Sequence, residues 1–146
     1  MKWQEMKWSW VKQLKSDNLI EEFENMIGYT FPEDYKECVR LNNGGAPELE
    51  AFDVKNEYIG TTGFGYLYSF NKDDISSIWN LYEWDECDDD QRAFIGRYIP
   101  FTSSAGGDPV CFDTTNNHVV FIDHETLEVE ELANSFSAFI EMLYEG

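Results

Sequence analysis

The chain has 146 residues, a net charge of −19, 42% apolar residues and 16% aromatics. That length fits one domain that buries roughly 68–70% of the surface its unfolded form exposes, so its core needs no covalent staple, and so many aromatics exclude a disordered chain. The charge is uneven: residues 1–45 hold eight acids and six bases, residues 46–146 hold 21 acids and four bases, a field that repels nucleic acid and draws cationic partners.

Trp3, Met6, Trp10 and Leu14 recur at helical spacing, with lysines largely between them, and predict an amphipathic first helix that caps the domain. Asn18 with Glu21 forms a capping-box pattern before Ile20, Phe23 and Ile27, and Gly28 is placed to end that helix. Phe31-Pro32-Glu33-Asp34 starts another, with Pro32 at its first position and two acids at the positive end of the dipole. Tyr35, Cys38 and Val39 form its apolar stripe, and Asn42-Asn43-Gly44-Gly45 stops it.

The pattern then turns to strands. Residues 51–54 and 66–70 read as strands around a loop over 60–65. Asp73 or Asp74 caps a short helix through Ile75, Ile78, Trp79 and Tyr82, and residues 83–90 form an acidic loop. Strands follow at 98–101, 110–112 and 119–122, the last two joined as a hairpin by Thr114-Thr115-Asn116-Asn117. Asn134 or Ser135 caps a final helix bearing Phe136, Phe139, Ile140 and Leu143. Helices, then strands, then a helix imply α+β: a single domain over 1–146 whose mixed, mostly antiparallel sheet packs against N-terminal helices and a C-terminal helix.

The segment over 20–45, IEEFENMIGYTFPEDYKECVRLNNGG, carries Gly28, then Phe31-Pro32 with Tyr35, then Asn43-Gly44-Gly45. Further on, Ile99-Pro100-Phe101 leads to Gly106-Gly107-Asp108 and Cys111-Phe112-Asp113, followed by Asp123-His124-Glu125 and Ser135-Phe136. In order and spacing these resemble the SUKH superfamily, the Smi/Knr-like domains of yeast cell-wall synthesis regulators and bacterial toxin-immunity proteins. The matches cover about half the chain, and the middle matches only loosely. The resemblance implies a mixed sheet with packed helices, no catalysis, and, in bacteria, the binding and blocking of a toxin. The alternative it implies is a cytosolic interaction module of the cell-wall regulator type. It carries over no contact residue, and Gly28, Pro32, Tyr35, Asn43, Gly44, Gly45, Pro100, Gly106, Gly107, Asp108 and Asp113 read as residues that serve the fold.

Other chemistry finds little support in the residues. Cys38, Cys87 and Cys111 are odd in number and lack zinc spacing, which suits reduced thiols in the cytoplasm. The N-terminal stretch opens polar, and no run approaches the ~20 apolar residues of a membrane span, so the expectation is a soluble protein without a membrane role. Cys111 and His124, with Asp113 and Asp123 nearby, form a conceivable thiol–imidazole pair, but Cys111 reads as an inward strand residue and His124 as an exposed strand end. Asp123-His124-Glu125 offers metal ligands that, as neighbours on a strand, point to opposite faces; no metal or cofactor is expected. The candidate partner-binding residues are Glu83, Trp84, Asp85, Glu86, Asp88, Asp89 and Asp90, acids that imitate phosphates towards a basic cleft around a tryptophan anchor. The expected partner is a cationic toxin domain, bound by a monomer or weak dimer.

Overall fold

Apolar spacing decides the helices. In the computed structural model, which describes residues 2–81 and 96–146, helix α1 spans Lys2–Glu5, α2 spans Asn18–Ile27 and α3 spans Glu33–Asn42. Ile20 and Phe23 are buried on α2, and Tyr35, Cys38 and Val39 on α3. Gly28 closes α2 in the left-handed region at φ 72°, its N–H donating to the Glu24 carbonyl. The capping box does not form: Asp17 holds the cap position of α2 without a side-chain bond, and Asn18 already lies inside the helix. Pro32 caps α3 from one residue outside it, with ψ at 143°. Asp34 accepts from both the N–H and the hydroxyl of Ser137 at 3.0 and 2.7 Å, tying the start of α3 to the last helix, α4 (Phe136–Glu141). As expected, Ser135 caps α4 by accepting from the Ala138 N–H.

The first helix is far shorter than its spacing predicts. Trp3 and Met6 are core residues, but after Glu5 the chain extends into strand β1 (Trp8–Ser9), which pairs with β2 (Ala46–Pro47). An extended arm here satisfies backbone groups that a helix would keep to itself. Lys12 donates its N–H to the Asn43 carbonyl, and Lys15 donates its N–H to the Asn71 side chain.

Six strands form the main sheet in sequence order: β3 (Ala51–Asp53), β4 (Thr61–Leu67), β5 (Tyr98–Ser104), β6 (Pro109–Asp113), β7 (Val119–Ile122) and β8 (Val129–Ala133). All their pairings are antiparallel, and the one parallel element described is an isolated bridge between Ser69 and Ser77. Three details differ from the sequence reading. β4 occupies residues taken as a loop. A 3-10 turn at Ile78–Leu81 replaces the short helix, leaving Ile75 exposed while Asp74 accepts from Ser69 and Asn71. The strand β8 was not foreseen. Pro100 sits in β5 beside a register shift against β6, just past the reach of β4, where its missing N–H is tolerated.

Aromatic rings fill the space between sheet and helices. Tyr35, fully buried, has Phe31, Phe101, Phe112 and Phe136 with ring centroids 5.0–5.8 Å away. Such pairs add about 0.5–1.5 kcal/mol each beyond area burial. The sheet curls enough for its two ends to meet. Beyond β3, Lys55 donates its N–H to Glu130 of β8 at 2.8 Å, Asn56 donates to Asp123, and Phe52 lies 6.3 Å from Phe121.

Two glycines of β4 separate open space from close approach. A Cβ on Gly65 would lie 2.7 Å from the Ser103 carbonyl oxygen of β5, whereas one on Gly63 would meet only the Ala105 methyl at 3.6 Å. Gly65→Ala should therefore lower unfolding free energy by about 1–3 kcal/mol, and Gly63→Ala by less than about 0.5 kcal/mol. Urea unfolding of both variants checks this; equal losses would contradict the packing described.

Candidate interaction surface

The motif residues build two polar knots that position the surface. The first is at the end of α3. Asn43, 1% exposed, donates through its amide to the Lys12 carbonyl at 2.6 Å and the Ser69 hydroxyl at 3.0 Å, and accepts from the Phe70 N–H at 2.9 Å. Gly44 has φ 72°, and a Cβ there would lie 2.9 Å from Lys12 Cγ; at Gly45 a Cβ would lie 2.9 Å from the Asn42 carbonyl. Only glycine lets the N-terminal arm pass this closely. The arm carries Trp10, a tryptophan at φ 64° that is 80% exposed. Trp10, Tyr66 and Ile75 line a shallow cavity of about 440 Å³ with Lys12, Asp73 and Asp74.

The second knot is the turn between β5 and β6. Gly106 and Gly107 (φ 88°) bring the buried Asp108 back under the chain, where it accepts from the Ser104 hydroxyl at 3.2 Å. Its other oxygen reaches across to the β7–β8 turn and accepts both the N–H of His124 at 3.0 Å and its Nδ1 at 2.6 Å. That hydrogen bond, aided by nearby carboxylates, raises the His124 pKa above the ordinary imidazole value. Asp113, nearly buried at the β6–β7 hairpin, is opposed in its ionisation by burial. Bonds from the Thr115 hydroxyl and N–H, with the Arg97 guanidinium 3.3 Å away, outweigh that and hold it below the usual carboxylate range.

Asp123 and His124 do converge, contrary to the strand argument, because they sit in a turn and not on a strand. With Asp108 they bring one potential metal-ligand atom each within 4.8 Å of one another. The three groups are already occupied: Asp123 accepts from the N–H groups of Glu125 and Thr126 and from Asn56, and Asp108 holds His124. No pairing of His124 with Cys111 forms either. Cys111 packs with Val120, Ile122 and Tyr98 on the sheet face away from the main core, and burial pushes its thiol pKa up. Cys38, in the main core, is pushed up to about 12 by burial. High-pKa thiols of this kind are poor nucleophiles at neutral pH.

Around the second knot lies an acidic groove that the sequence reading missed. Two adjoining cavities of about 480 and 520 Å³ share Tyr58, Asp123 and Thr126. One runs between the β3–β4 loop and β8 along Lys55, Glu57, Glu128, Val129 and Glu130; the other covers Asp108, His124 and Glu125. Tyr58 is fully exposed, and Val129 is exposed in the same cavity; Leu127, exposed at φ 62°, lies in the β7–β8 turn. The signal available was the alternation of Leu127 and Val129 with Glu128 and Glu130, a half-buried strand pattern. The expected site over Glu83–Asp90 lies outside the described residues.

Residues 16–142 match the SMI1 / KNR4 family (SUKH-1). The chain is also similar to the SPbeta prophage-derived uncharacterized protein YokK of Bacillus subtilis (strain 168), at 27% identity over 143 residues, covering 87% of this chain and 73% of that protein. Among the described residues no helix is long and apolar enough to cross a membrane.

The Asp108–His124 clip has a pH signature. A raised folded-state pKa means that its contribution to stability is complete below the ordinary imidazole pKa and is lost as pH rises through the raised value. NMR titration should show His124 titrating above the ordinary imidazole pKa and returning towards it in Asp108→Asn. A wild-type His124 that titrates at the ordinary value would refute the clip.

Proposed function

Because the chain belongs to the SMI1/KNR4 (SUKH-1) family, we propose that it is an immunity-type binding protein that neutralises a cognate toxin by occluding its active site. The observation that carries this reading is the acidic field, 21 acids against four bases over residues 46–146, borne by a domain of this family. Such a field suits a cationic partner, of the kind that a nuclease-type toxin domain presents to nucleic acid. The similarity to a prophage-derived protein is compatible with this reading. The protein acts in the cytoplasm, and its part is binding without catalysis: the Cys38 and Cys111 thiols are buried and His124 is held by Asp108.

Occlusion needs a large, well-packed contact, of the order of 1,600 Å² in total, with anchors that exclude water and charges that speed the encounter. The chain supplies exposed aromatic anchors in Trp10, Tyr58 and Tyr66.

The test is survival. Cells expressing the toxin domain encoded beside this gene should die without the protein and grow when it is co-expressed. Growth arrest in both cases, or no toxicity from any neighbouring frame, would overturn the immunity reading in favour of a regulatory interaction module. With the purified pair, the association rate should fall roughly tenfold or more from low to high salt, as measured by stopped-flow. A salt-independent rate would remove the electrostatic part.

A further inference from the structure

Two surfaces among the described residues expose aromatic side chains beside a cavity, and their charges differ. At the Trp10–Tyr66–Ile75 patch, Lys12 and Lys15 balance Asp73 and Asp74, with Lys15 paired to Asp73, so charge selects no partner there. The groove between the β3–β4 loop and the β7–β8 hairpin sets Glu57, Asp123, Glu125, Glu128 and Glu130 against a single ammonium, Lys55.

We propose that this groove is the docking surface for a cationic segment of a protein partner, one presenting arginine or lysine side chains. The inference rests on the reading of the chain as a protein-binding domain and names the face that binds. Three features carry it together. The carboxylates belong to both walls, so a cationic chain lying between them is neutralised from two sides. Tyr58 stands fully exposed where the two cavities join, placed to stack on a guanidinium or cover an alkyl stem. Val129 supplies apolar area at the groove wall. Isolated exposed ion pairs contribute little, so the carboxylates steer and orient the segment while Tyr58 anchors it.

The floor of the groove is held in place. Asp108 clips the β7–β8 turn through His124, Asn56 donates to Asp123, and Lys55 donates its N–H to Glu130. These contacts fix both walls before a partner arrives, which lowers the ordering cost of binding.

The probe is a synthetic arginine-rich peptide titrated into the full chain at physiological salt, read by amide chemical shifts and calorimetry. Two variants of matched charge separate the groove from the acidic stretch over 83–90. One carries Glu125→Gln, Glu128→Gln and Glu130→Gln; the other carries Asp88→Asn, Asp89→Asn and Asp90→Asn. The shifts should centre on Tyr58, Thr126 and Val129. The groove variant should bind about tenfold more weakly, Tyr58→Ala about fivefold more weakly, and the other triple variant within about twofold of wild type. Tyr58 is fully exposed, so its truncation should keep the fold, to be checked by circular dichroism. Equal losses in both triple variants, shifts centred elsewhere, or no binding of the peptide would overturn the proposal. The peptide has no toxin activity, so the survival assay can fail while this titration succeeds, and the reverse.

Discussion

The buried amide of Asn43 is the bond on which the rest of the architecture hangs. Three segments meet there: the extended N-terminal arm, the end of α3, and the stretch beyond β4 through the Ser69 hydroxyl and the Phe70 N–H, with Asn71 and Asp74 joined through the same hydroxyl. A buried polar group is costly unless every valence is met, at roughly 1–3 kcal/mol for each group left open. Here the same donors and acceptors that must be met are used to hold the helical layer against the sheet. The glycines at 44 and 45 exist in this logic to leave room for Lys12, which reaches Asn43, and for Val11 beside it.

That arrangement explains why the α2–α3 region was legible and the N-terminus was not. Local signals suffice where the structure is local: Gly28 ends α2, the Tyr35–Cys38–Val39 stripe is buried, and Ser135 caps α4. The β6–β7 hairpin was equally readable from its turn. The tryptophans of the first helix read as core, which holds for Trp3 and fails for Trp10, 80% exposed; their helical period could not reveal that the following residues gain more by pairing with Asn43, Ala46 and Pro47 thirty to forty positions away. Tertiary pairing overrode a weak local propensity. The glycines of β4 misled in the same way, since Gly65 is there for close approach to Ser103 and not for a turn.

The candidate site shows a sharper version of this limit. Each residue of the acidic groove was visible as an acid or an aromatic, but Tyr58 and Glu130 lie 72 positions apart and share a cavity only because the sheet curls. Charge counting pointed to the half of the chain that holds the groove and favoured the densest run of acids within it, which lies outside the described residues. Density along the sequence is a poor guide to density in space when opposite edges of a sheet are brought together. Asp123 and His124 illustrate the same point: the rule that neighbours diverge holds on strands and fails in the turn they occupy.

The curl that closes the groove also bears on how the protein is made. The bond from Lys55 to Glu130 spans 75 positions, and the bridge between Ala51 and Tyr144 spans still more. A ribosome must have released nearly the whole chain before either contact can form, while the α2–α3 hairpin needs only neighbouring residues. Loop-closure entropy makes such distant contacts late in folding. Native-state hydrogen exchange would find them opening at lower free energy than the aromatic core. The groove would thus be the last part of the molecule to form during synthesis and the first to come apart under stress, its appearance set by the closure of the sheet and not by the formation of the core.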